Sequence, residues 1–187
     1  MSETNLDRPL TEDEQQILLK MARRAIENAV NPQSKPPIES DEPILAEERG
    51  AFVTLHKQGQ LRGCIGYVTA LKPLDQTIKE MAVAAAMHDP RFDAVTGDEL
   101  EDLDIEISVL SPLKKVDDVK VIQIGRHGLY VQKGAYSGLL LPQVASEYGW
   151  DRHEFLAQTC RKAGLPPNAW QDDDTTLYSF SAQIFQE

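Results

Sequence analysis

Residues 51–68 read AFVTLHKQGQLRGCIGYV. Two runs rich in β-branched and aromatic residues are separated by a short polar turn centred on Gln58-Gly59, a pattern that predicts a β-hairpin with strands at 51–56 and 61–68. A hairpin commits neighbouring strands to antiparallel pairing, whereas parallel strands need a long crossover between them. The flanking segments extend this constraint. Thr11-Glu12-Asp13-Glu14 forms a capping box ahead of Ile17, Leu18, Met21, Ala22, Ala25, Ile26 and Ala29 at helical spacing, and Asn31-Pro32 ends that helix.

Pro73 opens a second helix with Leu74, Ile78, Met81 and Ala85 on one face, which Asp89-Pro90 stops. DIEISVL at 104–110 alternates as a half-buried strand. GRHGLYV and GLLLPQVA read as two short strands around the turn QKGAYSG, Asp151 with Glu154 caps a last helix ending at Gly164, and TLYSFSAQIF reads as one closing strand. The order helix, hairpin, helix, strand, hairpin, helix, strand predicts an α+β fold with mainly antiparallel sheets flanked by helices. Residues 31–43, NPQSKPPIESDEP, form a long proline-rich connection that is either a lid or a strap.

At 187 residues the chain is long enough to bury a core, and 41% hydrophobic with 26% charged residues describes an ordinary globular protein. A net charge of −11 disfavours binding to phosphate backbones and to anionic membrane surfaces, and no basic patch offsets it. No apolar run approaches a membrane span, and the polar, acidic first residues lack the pattern of a secretory signal, so the expected location is the cytoplasm. Two cysteines cannot build a disulfide framework or a zinc site alone, so both are expected as free thiols and no metal site is assigned.

The chemistry concentrates in LRGCIG, residues 61–66. On a regular strand Arg62, Cys64 and Gly66 share one face, and a guanidinium beside the sulfur favours the nucleophilic thiolate. Gly63 and Gly66 leave the backbone around Cys64 open to a ligand, so the amides of residues 63–66 could cradle an anion. The bland alternative is a buried cysteine between glycines that merely let a helix pack close. With a two-residue turn His56 pairs with Leu61 and Val53 with Cys64, which puts His56 on the face opposite the thiol unless a bulge at Gly63 resets the alternation. His127 in GRHGL is the other acid/base candidate, against a simpler role in bonding its own turn. Arg91 in HDPRFD either reads an acidic group or is tied to nearby aspartates. Cys160, Trp150 and Trp170 read as packing residues. There is no Walker, nucleophile-elbow or HExxH motif, and the residues name no cofactor.

LRGCIG, DPRF followed by EISVL, HGL, LLPQVA with a downstream tryptophan, and CRKAGL, in this order, resemble the AMMECR family. That domain family is named for the Alport-syndrome, midface-hypoplasia and elliptocytosis chromosomal region, and the likeness covers residues ~12 to 183. The resemblance implies a single domain over 1–187 with two unequal lobes, the larger built from both chain ends and the smaller from the middle, and a cleft near LRGCIG. Its motifs carry onto Leu61–Gly66, onto Asp89, Arg91 and Phe92, onto His127 and Gly128, and onto Pro142 and Gln143. No biochemical activity is established for the family. Some members are fused to, or encoded beside, Memo-type and radical-SAM proteins.

Two functional readings follow. In one, a small cytoplasmic enzyme or enzyme component uses Cys64 as nucleophile, with His127 as acid/base and Arg62, Gly63, Gly66, Arg91 and Gln143 around the substrate, a small molecule or a protein group. In the other, a non-catalytic binding module presents the LRGCIG strand, with Cys64 chosen for size.

Overall fold

The computed structural model describes residues 8–32 and 35–187 of the chain. In chain order its elements are α1 (Glu12–Val30), β1 (Ala51–Lys57), β2 (Gln60–Tyr67), α2 (Leu74–Met87), β3 (Leu103–Leu110), β4 (Lys114–Lys115), β5 (Gly128–Lys133), β6 (Tyr136–Leu140), α3 (Pro142–Glu147), α4 (Arg152–Lys162), β7 (Thr176–Phe180) and β8 (Ala182–Gln186). This is an α+β protein with two antiparallel sheets, ordered β2-β1-β3-β8 and β4-β7-β5-β6. The chain divides into two compact units, Met1–Leu110 with Gln183–Glu187, and Ser111–Ala182.

In the first unit α1 begins at the capping box: Thr11 Oγ1 accepts from the Glu14 amide, and the Glu14 carboxylate accepts from the Thr11 amide. Arg8 grips both oxygens of Glu14 at 2.6 and 2.8 Å. These bonds hold the Glu14 carboxyl down at about 2. Leu18, Leu19, Met21, Ala22 and Ile26 then line the buried face of α1, and each large member contributes roughly 1.5–3 kcal/mol by leaving water. β1 lies inside the sheet, with Ala51, Val53 and Leu55 buried on its helix-covered side and Phe52, Thr54 and His56 half-buried on the other. Leu74, Ile78, Met81, Ala82 and Ala85 of α2 complete this core with Ile105, Ile107 and Val109 of β3. The closing strand is sewn to the start of the chain: Gln183 accepts from the Leu10 amide at 2.7 Å and donates to the Leu10 carbonyl at 2.9 Å.

The second unit packs α4 on β5 and β6. Its core contains Ile122, Leu129, Val131, Phe155, Leu156 and Cys160. Asp151 caps α4 by accepting from the Glu154 amide at 2.8 Å, and Gly164 takes a φ of 76° just past its end.

Two expectations are corrected, and one open alternative is decided. The segment PQVA is helical, not strand: Pro142 occupies the first helical position of α3, where its missing N–H costs nothing. The expected single closing strand divides at Ser181 into β7 of one sheet and β8 of the other. The described part of the 31–43 connection is a strap rather than a lid. Its Lys35 and Pro36 carbonyls accept from Asn28 and Arg24 of α1, its Glu39 bonds Lys79 of α2, and it ends in a short turn at Pro43–Ala46. Gln33 and Ser34 lie outside the described residues.

Candidate functional site

The hairpin turn has the expected form, with Gln58 and Gly59 at φ 53° and 75°, and it pairs Lys57 with Gln60 and His56 with Leu61. Beyond it the register shifts. Leu55 pairs with Gly63, Thr54 with Cys64 and Val53 with Ile65, so Arg62 is the extra residue of a β-bulge. This corrects the expected pairing of Val53 with Cys64 and removes Arg62 from the alternation it was expected to share with the cysteine. Residues paired across an antiparallel ladder point to the same face. His56, Leu61, Thr54, Cys64, Phe52 and Gly66 therefore share one face, and Gly63 and Ile65 share the helix-covered face. The bulge thus places His56 on the thiol's side of the sheet.

Arg62 is spent internally. Its Nε and Nη2 donate to the two oxygens of Glu99 at 3.0 and 2.9 Å, and its Nη1 donates to the Asp93 carbonyl at 2.9 Å. Glu99 also accepts from Lys57 Nζ at 3.0 Å and from the Thr96 amide at 3.1 Å. Arg62 above all, with the Thr96 amide and Lys57, holds the Glu99 carboxyl at about 2. The guanidinium expected to activate Cys64 instead fastens the hairpin to the segment Gly97–Asp102.

Arg91, not Arg62, is the arginine that meets Cys64, and it meets the backbone. Asp89, with 1% of its side chain exposed, accepts from Arg91 Nε at 3.0 Å and Nη2 at 2.7 Å, from the Arg91 amide at 3.1 Å, and from the Cys64 amide at 2.9 Å. Arg91 Nη2 also donates to the Cys64 carbonyl at 3.3 Å. The pair therefore meets the N–H and the C=O of Cys64 as a neighbouring strand would, and it covers the edge of the sheet there. These bonds keep the Asp89 carboxyl far below the usual range. Arg91 is raised, first by its bonds to Asp89 and in smaller part by the nearby Cys64. The anion at the Cys64 amide is thus the protein's own carboxylate, which corrects the expectation of an open anion cradle at that position.

The glycines answer to packing. A Cβ on Gly63 would lie 2.2 Å from the Ala85 carbonyl oxygen of α2, and one on Gly66 would lie 2.3 Å from the Phe52 ring and 2.4 Å from the Ala51 carbonyl oxygen. Between them Cys64 is a half-buried free thiol, and its sulfur accepts from the Thr54 hydroxyl at 3.1 Å.

The remaining site residues belong to the second unit. His127 closes its own turn: its Nδ1 accepts from the Gln123 amide at 3.1 Å and its amide donates to the Gln123 carbonyl at 3.0 Å. Burial, then Arg126 and Lys114, push the imidazole below its ordinary value and favour its neutral form. Gln143 is half-buried in the first turn of α3. Arg62, Gly63, Cys64, Gly66 and Arg91 lie together in the first unit. Among the described residues no group of three or more His, Cys, Asp or Glu side chains could hold a metal ion.

The AMMECR1 family model matches residues 19–185. The chain belongs to the AMMECR1 family. It is 47% identical over 186 residues to a protein of Methanothermobacter thermautotrophicus, covering 96% of this chain and 97% of that one. It is 48% identical over 185 residues to Protein TK0174 of Thermococcus kodakarensis, covering 92% and 89%. The crystal structure of the uncharacterised protein PH0010 from Pyrococcus horikoshii superposes with a TM-score of 0.80 at 45% identity, covering 91% of this chain and 89% of that one. None of these names states an activity, a substrate or a partner.

In this AMMECR1-family chain, reading by sequence missed Thr54, Glu99 and the role of Asp89. Thr54 was findable, since it stands two residues before His56 on the predicted strand. Glu99 lies 37 residues from Arg62, and no local signal joins them.

Proposed function

We propose that this protein is a thiol-dependent enzyme or enzyme component in which Cys64 is the nucleophile. The observation that carries this reading is the Thr54 hydroxyl, which donates to the half-buried Cys64 sulfur at 3.1 Å. A donor aimed at sulfur stabilises negative charge there. The other chemical groups of the motif are committed: Arg62 to Glu99, and the Cys64 amide to Asp89. The sulfur remains on a strand whose backbone is fixed on both edges. In the proposed step the thiol proton leaves to His56 or to water while sulfur adds to the carbon of a polarised C=O or C=N bond of a small molecule or of a modified protein group, and the π pair moves onto the oxygen or nitrogen, which takes up a proton. His127 and Gln143 are retained as contributors implied by the family motifs. Memo-type and radical-SAM proteins are the partners that the resemblance suggests. A cytoplasmic location fits the free thiols and the acidic sequence, and no helix among the described residues is long and apolar enough to cross a membrane.

The test is alkylation of native protein carrying Cys160→Ala, across pH, with mass spectrometry of the adduct. Rapid native labelling of Cys64, together with capture of electrophilic probes that Cys64→Ser abolishes, is the expected result. Labelling that appears only on unfolding would sink the nucleophile and leave the binding-module reading, in which Cys64 is chosen for size.

A further inference from the structure

A hollow of about 550 Å³ lies between α1, α2 and the strap, and it is lined by neither LRGCIG nor Arg91. Met21, Ala25, Ala29, Ile38, Val83 and Ala84 give it an apolar wall. Its volume falls in the range of small-molecule sites, and small residues at facing helix positions leave the space that larger side chains would fill. Arg24 and Lys79 stand at its margin although the chain as a whole carries a net charge of −11. Glu80 also lines it, and its carboxylate is held by Lys72 at 2.7 Å. Arg24 is engaged with the Pro36 carbonyl at 2.7 Å and with Glu27 at 3.4 Å.

Lys79 is held differently. It bonds Asp75 at 3.4 Å, one turn away on α2, and Glu39 of the strap at 2.9 Å. The Glu39 side chain is 68% exposed, so its grip on the ammonium is that of a surface ion pair, worth little and readily exchanged. The strap thus places a weakly held carboxylate on a cation beside an empty apolar space.

We infer that this hollow binds an amphipathic carboxylate, a molecule with a single apolar body and one acid group. The apolar body lies against the alanines, Val83 and Ile38, and the acid replaces Glu39 on Lys79. Charge complementarity selects an anionic head, and the volume selects a small ligand rather than a protein segment.

The test measures binding of octanoate, decanoate and decanol to the full chain by calorimetry, below their aggregation limits, with amide chemical shifts mapping the site. Decanoate is expected to bind saturably and to shift the amides of Ala25, Ala29 and Val83. It should bind roughly fifteenfold tighter than octanoate, since each of its two extra buried methylenes is worth about a fourfold gain. Glu39→Gln should strengthen decanoate severalfold and leave decanol unchanged, because it removes the competing carboxylate. Lys79→Gln should lower decanoate to the level of decanol. Ala29→Phe, at a half-exposed helix position, should fill the space and abolish binding of both ligands. Absence of saturable decanoate binding to the wild-type chain overturns the inference, as does binding that Ala29→Phe leaves intact. Weaker decanoate binding in Glu39→Gln overturns the assigned role of Lys79 and with it the choice of a carboxylate. Glu39→Gln alters an exposed side chain, so a failure to fold does not obscure that arm.

Discussion

Cys160 and Cys64 have the same side chain in opposed settings. Cys160 sits on α4 with none of its surface exposed, in a core with Phe155, Leu156 and Ala163, and burial pushes its thiol up. Cys64 sits on an edge strand, half-buried, with a hydroxyl aimed at its sulfur and a carboxylate and a guanidinium clamped to its backbone. Around Cys160 the surroundings exclude water, and burial outweighs the hydrogen bond that the Trp170 backbone makes to its sulfur. Around Cys64 the bonds fix the backbone and leave the sulfur to its neighbours across one sheet face. What separates the two is backbone chemistry: a helix satisfies its own amides, whereas an edge strand needs outside partners, and those partners position the side chain.

The largest effect should come from removing the clamp. Asp89→Ala strips the Cys64 amide of its acceptor and leaves Arg91 without its carboxylate. It should cost about 2–3 kcal/mol in urea unfolding, from the charged hydrogen bonds lost and the Cys64 amide left without an acceptor, since the half-exposed Arg91 can turn to water. A loss under 1 kcal/mol would mean that Asp89 does not hold β2.

Acid should loosen the same strand at Arg62. The Glu99 carboxyl is lowered from an ordinary 4.5 to about 2. Its contribution is therefore fully present above about pH 4.5 and is lost as pH falls toward 2. With 17% of the side chain exposed, that contribution is at most about 3 kcal/mol. In Glu99→Gln the unfolding midpoint should vary less between pH 5 and 2 than in the wild type, and parallel curves would refute the assignment.

The two thiols should then separate under substitution. Cys160→Ala should cost about 1–2 kcal/mol by opening a void in a filled core, while Cys64→Ala should cost under about 1 kcal/mol. Equal losses would erase the contrast. Smallest in stability but most specific is Thr54→Val, which removes the donor to sulfur at nearly constant volume. Alkylation of native Cys64 should slow severalfold, with the unfolding midpoint unchanged within about 1 kcal/mol. An unaltered rate would leave Thr54 without a chemical role.

Much of this architecture was legible because its signals are local. Thr11 with Glu14, Asp151 with Glu154, and Gln58-Gly59 each carry their partners within a few residues, and all three form as read. The bulge was legible only as an option, raised at Gly63 rather than at Arg62, because it changes no residue type and depends on which backbone groups pair. That shift reversed the facing of His56 and sent Arg62 to a glutamate remote in sequence. The Asp89–Arg91 bond was readable as one of two options, but its grip on Cys64 spans 25 residues and needed coordinates. The break at Ser181 was hidden because the residues on both sides of it favour strand.

The bond between Leu10 and Gln183 has a consequence for synthesis. The smaller unit is one uninterrupted stretch, so its folding waits on no residue outside it. The larger unit must wait, because β8 is translated after roughly 70 intervening residues, about 4–15 s at ordinary elongation rates. Throughout that interval β3 is a bare edge of a nearly complete sheet. The nascent chain is most open to mispairing at β3, the strand that β8 will cover.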